Sequence, residues 1–492
     1  MTPLLLAILA YVAVQLAIGF VIARRIKSED DYLVAGRRMG PLLAGGTIFA
    51  TWFGAETCLG SAGDVYENGV SLGTAEPFGY GLCIVFMGLV FAVRLWKLKL
   101  TTLADFFRRR YSGGVERLAA LLMIPTSLLW AAAQVRAFGQ VLASASELEV
   151  ELAVALAAGI VVVYSASGGL LADAVTDLVQ GACLVVGLAV ILFGVVQGVG
   201  GWEATLASID RERFSLAPDG QSFLALLEAW SVPILGSVVA QELVVRVSAS
   251  RSAEVARGSA LAGGALYILI GLLPLFLGLV GAAIVPEIAD PEQILPELGR
   301  RFLSPFAYAL FAGALVSAIL STVDSTLLVC SSLLSHNLIL PRFPALDERS
   351  KVRIARYGVV GFGLLAYVLA RHAEGVASLV EQASSLGSAG LFVILLLGLF
   401  TRRGHSASAY AALLGGLGAY LAASALGSPL PFLMSLVSAF AGYVLLLPLG
   451  RSARKSSGAA HPAAHDDPEL EGGLGCGRVR GHDGRAGEEG AP

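Results

Sequence analysis

Charge is what this chain has little of: 14% of its 492 residues are Asp, Glu, Lys or Arg, against 56% hydrophobic residues. Such a balance excludes a soluble multidomain protein. The net charge of -3 is uninformative by itself because the charges are segregated, and nothing in the sequence resembles a basic nucleic-acid surface. Cysteine and histidine are also scarce. Four of the five cysteines, Cys58, Cys83, Cys183 and Cys330, lie in apolar runs and Cys476 near the end, without metal-ligand spacing, so neither a disulfide framework nor a zinc site is expected. His336, His372 and His405 fall at the ends of apolar runs and form no ligand cluster, which argues against a metal-dependent membrane enzyme. No Walker loop is present, so ATP-driven pumping is not expected. Glycine, by contrast, is abundant at 58 residues, as closely packed membrane helices require.

Apolar runs long enough to cross a bilayer lie near 4–24, 42–64, 74–95, 117–145, 150–166, 173–198, 222–246, 258–285, 303–336, 353–371, 377–400, 406–425 and 429–449. The first lacks a basic start and ends in Arg24-Arg25-Ile26-Lys27, so a retained helix is expected rather than a cleaved signal. Alternate loops differ in charge. One set holds Arg24, Arg25, Lys27, Arg37, Arg38, then Lys97 to Arg117, then Arg246 to Arg257, Arg342 to Arg353, and Arg402 with Arg403. The other set is mainly acidic, with Asp64, Glu67, Glu147, Glu149, Glu151, Glu287, Asp290 and Glu292. Lys and Arg divide about 25 to about 5 between the two sides, and the positive-inside rule puts the N-terminus outside and the C-terminus in the cytoplasm of a cell whose plasma membrane the chain spans. Residues 451–492 lose apolar periodicity and are expected to form a disordered tail.

One span departs from an ordinary membrane helix. Gly45-Gly46-Thr47-Ile48-Phe49-Ala50-Thr51-Trp52-Phe53-Gly54-Ala55-Glu56-Thr57 is apolar but carries a glycine pair, threonines, a further glycine and a carboxylate. Irregular backbone and charge at that depth survive only where protein buries them or where they line a wet cavity. A second interruption, Ser231-Val232-Pro233-Ile234-Leu235-Gly236, opens a second set of five spans. Paired breaks in corresponding places point to an inverted-repeat transporter, with main-chain carbonyls free to bind a cation. Packing kinks are the alternative. The expected division is a leading helix and loop (1–40), a first repeat (41–200), a second repeat (201–403), two accessory helices (404–450) and the tail.

Tyr164-Ser165-Ala166-Ser167-Gly168-Gly169-Leu170-Leu171-Ala172-Asp173-Ala174-Val175-Thr176-Asp177-Leu178-Val179-Gln180, Ala318-Ile319-Leu320-Ser321-Thr322-Val323-Asp324-Ser325 and Thr102-Leu103-Ala104-Asp105-Phe106 resemble signatures of the sodium:solute symporter family. The resemblance covers about residues 5–425. It implies an all-α polytopic fold of about 13 spans, a leucine-transporter-like 5+5 inverted repeat with a discontinuous first helix in each repeat, and co-transport of sodium. Sodium is a hard cation that takes oxygen ligands. Ser321 and Thr322 offer adjacent hydroxyls, whose alternative role is bonding back to the preceding helical turn. The resemblance adds the carbonyls of Ala50, Phe53 and Ala318, and it puts Asp177 on the ion's exit path, where an ordinary helix-end charge is the other reading. Ala50-Thr51-Trp52, Val65-Tyr66 and Pro77-Phe78-Gly79-Tyr80 are similar to the family's choline-transporter branch, which surrounds a quaternary ammonium with aromatic rings. Trp52 and Tyr80 take two of those ring positions, while Ala240 and Val380 stand where two others would be, so half a cage is expected.

Glu56, Glu76 and Glu381 lie within apolar runs, with Arg136 at comparable depth as the obvious counter-charge. Carboxylates around one cavity favour a cationic or zwitterionic solute, such as an amino acid or a betaine-like compound. A structural ion pair with vestibule glutamates is the alternative. Glu242, four residues before Arg246, reads instead as half of an i,i+4 surface pair. The function expected is sodium-coupled import of a small organic solute. A proton-coupled carrier of a carboxylate or sugar, or a transporter-like sensor, are the other readings. The expected partners are the solute and the lipid bilayer, with no nucleic acid and no obligate protein partner.

Overall fold

The computed structural model describes residues 3–448 except 25, 145, 147, 168, 216–221 and 374. The expected tail, 451–492, lies outside the described residues. Among the described residues every extended element is a helix, as a bilayer demands of a chain that must satisfy its own backbone hydrogen bonds. A helix lies over each of the thirteen apolar runs. Eight are long: Phe78–Lys97, Gly113–Ala143, Leu170–Val199, Ala253–Ile284, Pro305–Arg342, Glu348–His372, Val376–Phe400 and Ser406–Ala425. Three are shorter: Ile8–Ile22, Val150–Val163 and Pro431–Leu445. The other two are bent pairs. Pro41–Trp52 meets Glu56–Asn68 at 55°, and Phe223–Val239 meets Gln241–Ala249 at 48°.

The first bend falls where the sequence places it. Phe53 leaves helical geometry at φ -91°, ψ 70°, and Gly54 follows. A side chain at Gly54 would come within 2.5 Å of the Glu56 carboxylate and 2.8 Å of the Thr322 hydroxyl. Only glycine fits there.

The second bend corrects the expectation. Val232–Gly236 is still helical, a widened π turn, and the chain turns at Ala240, φ -59° and ψ 127°. Pro233 costs the helix one amide donor, which a single wide turn absorbs without breaking it. The break comes where the Gln241 side chain accepts from the Leu103 amide at 2.7 Å, so the bend is anchored by a neighbouring loop helix rather than by its own proline.

Small residues let the long Ala253–Ile284 helix pack backbone to backbone. A β-carbon at Gly264 would lie 2.8 Å from the Gly81 carbonyl, and one at Gly278 would lie 2.4 Å from that of Ala62.

At the basic end, the Leu103–Arg110 helix opens with a capping box of Thr102 and Asp105. The Asp105 carboxylate accepts from the amides of Thr101 and Thr102 at 3.1 Å each and from Asn337 at 3.1 Å, with His336 Nε2 at 3.3 Å. Burial alone would raise this carboxyl, but the His336 hydrogen bond and the two amides outweigh it and hold it at about 2. A depressed carboxylate stabilises the fold above its unfolded value of about 4 and loses that contribution as pH falls through its folded value. Asp105→Asn should therefore cost about 2 kcal/mol at neutral pH, read as a lower Tm, and should blunt the acid loss of stability between about pH 4 and 2. An unchanged Tm and acid limb would show that this cap contributes nothing.

Candidate functional site

The Pro305–Ser332 helix crosses the first bend and lays two hydroxyls against its open carbonyls. Ser321 Oγ donates to the carbonyls of Ala50 at 2.8 Å and Ala318 at 2.9 Å. Thr322 Oγ1 donates to Thr51 at 2.8 Å and Ala318 at 3.1 Å. Ala50, Ala318, Ser321 and Thr322 are thus brought together and buried, and Phe53 forms the bend itself. Each hydroxyl bonds back to its own helix, as the alternative reading has it, and also across to the broken one. The set contains neutral oxygens only, which can bind a hard cation and release it again.

One helical turn further along, Ser325 accepts and donates within a fully buried ionic cluster. Arg246 Nη2 lies 2.6 Å from Asp173 Oδ2 and 3.1 Å from Asp177 Oδ2. Its Nε donates to Thr47 Oγ1 at 2.9 Å, and its Nη1 donates to the carbonyl of Glu242 at 3.1 Å. Thr51 donates to Asp177 at 2.9 Å, and Ser325 to Asp173 at 2.9 Å. The surface pair expected of Glu242 and Arg246 is therefore wrong: both are buried, and they meet through a backbone oxygen. Spacing made them neighbours on one helix, but two aspartates of the Leu170–Val199 helix draw the guanidinium inward. Asp177 joins the Pro41–Trp52 and Gln241–Ala249 segments of the two bent spans, and it accepts from Thr51, whose carbonyl receives Thr322.

On the other side of the first bend three rings converge. Trp52 and Trp130 have centroids 5.3 Å apart, Trp52 and Tyr80 6.0 Å, and Tyr80 and Trp130 6.1 Å. Trp130 was not anticipated, and it corrects the half-cage: a ring from the Gly113–Ser144 helix stands in the cluster although Ala240 and Val380 supply none. That helix is apolar nearly all round, so periodicity marks no face. The available signal was Gln134, one turn on. Gln134 Oε1 accepts from the Ala55 amide at 3.0 Å, and its Nε2 donates to Glu56 at 2.9 Å. Glu56 is thus held by an amide, not by Arg136, whose Nη1 donates to the Ala370 carbonyl at 3.3 Å. Two residues beyond Gln134 is roughly 200° round a helix, which turns Arg136 away.

Glu76 accepts from Thr57 at 2.6 Å and from Tyr267 at 2.5 Å, bracing the bent span rather than facing the rings. Glu381 is exposed, and the structure does not bring it to the rings. Instead Ser384, on the same helix, hydrogen-bonds the Tyr80 hydroxyl at 2.8 Å and accepts from Ser237 at 3.0 Å. Beside Trp130 a cavity of about 20 Å³ is lined by Ser127, Ser237, Ala240, Glu242 and Ser384. It holds a water-sized body, not an organic solute, so in this conformation the rings close on one another.

The sodium:solute symporter family matches residues 32–416. The chain belongs to that family. It is 27% identical to the high affinity choline transporter 1 of Homo sapiens, over 84% of this chain and 75% of that protein. It is 26% identical to the sodium/pantothenate symporter of Escherichia coli (strain K12), over 84% and 88%. A substrate-bound, outward-open Na+-coupled sialic acid symporter superposes with a TM-score of 0.81 at 18% identity, covering 91% of this chain and 98% of that one. A closed nucleobase-cation-symport-1 family transporter gives 0.63 at 16% identity, covering 89% and 98%. The fold is the leucine-transporter-like one expected. This family member is a multi-pass membrane protein that couples sodium to transport of a small solute, and it is not an enzyme.

Two outcomes follow from this geometry. Ser321→Ala should remove most of the stabilisation that sodium gives over potassium in a thermal-shift measurement, while lowering the sodium-free Tm by no more than one lost hydrogen bond, about 1 kcal/mol. A full sodium shift in that variant would exclude the hydroxyl as a ligand. Arg246→Met strands Asp173 and Asp177, and should cost about 3–5 kcal/mol, visible as loss of folded, monodisperse protein. A Tm within a degree of the parent would contradict this.

Proposed function

We propose that this chain imports a small organic solute carrying a positive charge, a cation or a zwitterion such as an amino acid or betaine-like compound, together with sodium. The single observation behind the solute class is the convergence of Trp52, Tyr80 and Trp130 within 6.1 Å of one another. Ring faces attract an ammonium group that they can enclose. Glu56 stands next to Trp52's helix break with one carboxylate oxygen unpartnered, which adds negative potential to the same region. The choline-transporter relatives agree with this class.

In this reading sodium binds among the oxygens of Ala50, Phe53, Ala318, Ser321 and Thr322, replacing hydroxyl–carbonyl hydrogen bonds with ion–oxygen contacts. Its binding fixes the first bend, and with it Trp52. The two repeats, 41–200 and 201–403, then move against each other. Release to the cytoplasm requires the Arg246–Asp173–Asp177 cluster to open, which gives Asp177 its place on the exit path. The N-terminus lies outside and the C-terminus in the cytoplasm, across the plasma membrane. One sodium charge moving inward releases roughly 2.3 kcal/mol per 100 mV, enough for about fortyfold accumulation of a neutral zwitterion.

Uptake into proteoliposomes with an inward sodium gradient tests the assignment. Choline, glycine betaine and lysine are compared with pantothenate, sialic acid and glucose. Saturable, sodium-dependent uptake of at least one positively charged solute is expected, and Trp130→Ala should weaken it by about tenfold or more. Uptake confined to the sugar or to the carboxylates would overturn the solute class.

A further inference from the structure

We infer that Glu242 is the counter-charge for the solute's positive group, a specificity-determining residue opposite the ring of Trp130. The inference rests on the organic-cation reading above. Glu242 is 2% exposed and lines the cavity beside Trp130, Ser127, Ser237 and Ser384. Its Oε1 is buried without any hydrogen-bond partner. A carboxyl group buried in a membrane with an unanswered oxygen is costly, and such groups persist where they meet a charge that arrives with function.

Arg246, one turn along the same helix, does not fill that need. Its Nη2 is committed to Asp173, Asp177 and Ser325, and its Nε to Thr47. The remaining Nη1 bonds the backbone oxygen of Glu242 and not the carboxylate. Two aspartates share this one positive charge, so the cluster has none to spare.

The second bend sets the geometry. Ala240 carries the turn, and Glu242 stands in the first turn of Gln241–Ala249, where the helix dipole favours an anion. The small side chain of Ala240 leaves space in the cavity wall, and the carboxylate two residues on can work into it. A compact ammonium seated there would have a ring face on one side and an anion on the other, two attractions that reinforce each other out of water. Glu56 is the competing anion, but one of its oxygens is already held by Gln134, and it does not line this cavity.

The test uses purified full-length protein in nanodiscs with sodium. The probes are choline and 3,3-dimethyl-1-butanol, its uncharged carbon isostere, and binding is read by calorimetry. Glu242→Gln should weaken choline by about tenfold or more and leave the isostere within about twofold, because only the charged probe loses a partner. Glu242→Asp, with the charge withdrawn by one methylene, should weaken choline less than the Gln variant does, and again spare the isostere. The sodium-dependent Tm shift reports folding of each variant; if the Gln variant lacks it, the Asp variant decides. A wild-type preference for choline that survives in the folded Gln variant, or equal losses for both probes in either variant, would overturn the role of Glu242 alone. If the wild-type protein binds no positively charged solute of the uptake panel, the organic-cation reading fails first, and the counter-charge falls with it.

Discussion

Ser321 and Thr322 close a gap that the bilayer would otherwise forbid. A helix that unwinds at membrane depth exposes carbonyls with no water to receive, and these two hydroxyls reach across from the Pro305–Ser332 helix to Ala50 and Thr51 at 2.8 Å each. The proposed sodium ligands Ala50, Ser321 and Thr322 are among these groups. In the proposed function, ion binding draws on the same groups that satisfy the bend. Gly54 follows from this contact, since any side chain would push Thr322 and Glu56 apart.

Charge in the membrane is arranged in two ways with different consequences. Arg246 pairs with both Asp173 and Asp177 and bonds Thr47, so the cluster ties the Pro41–Trp52 and Gln241–Ala249 segments of the two bent spans together. Glu56 and Glu242 each keep an oxygen without a partner, close to the rings of Trp52 and Trp130.

How much of this could be read beforehand depended on the kind of signal. Hydrophobic runs located every span, because the requirement for about 20 apolar residues is written residue by residue. The first bend was legible in Gly54 and the polar residues around it. The second was misplaced by four residues or more: Pro233 is a visible breaker, yet the turn at Ala240 depends on Gln241 reaching Leu103, a tertiary contact. Trp130 was hidden for a related reason, since an apolar helix surrounded by other helices has no polar side to reveal which way it faces. Arg246 and Glu242 had the spacing of a surface pair, and only the approach of Asp173 and Asp177 from another helix makes the guanidinium a buried one.

The most direct measurement of coupling is the reverse of ordinary uptake. Proteoliposomes with equal sodium on both sides are given an inward gradient of the transported solute, and entry of radioactive sodium is followed at zero membrane potential. A symporter built around the Ala50–Ser321 oxygens moves net sodium inward with the solute, at a fixed ratio. Solute that enters while net sodium flux stays at the background of empty vesicles would contradict the central claim.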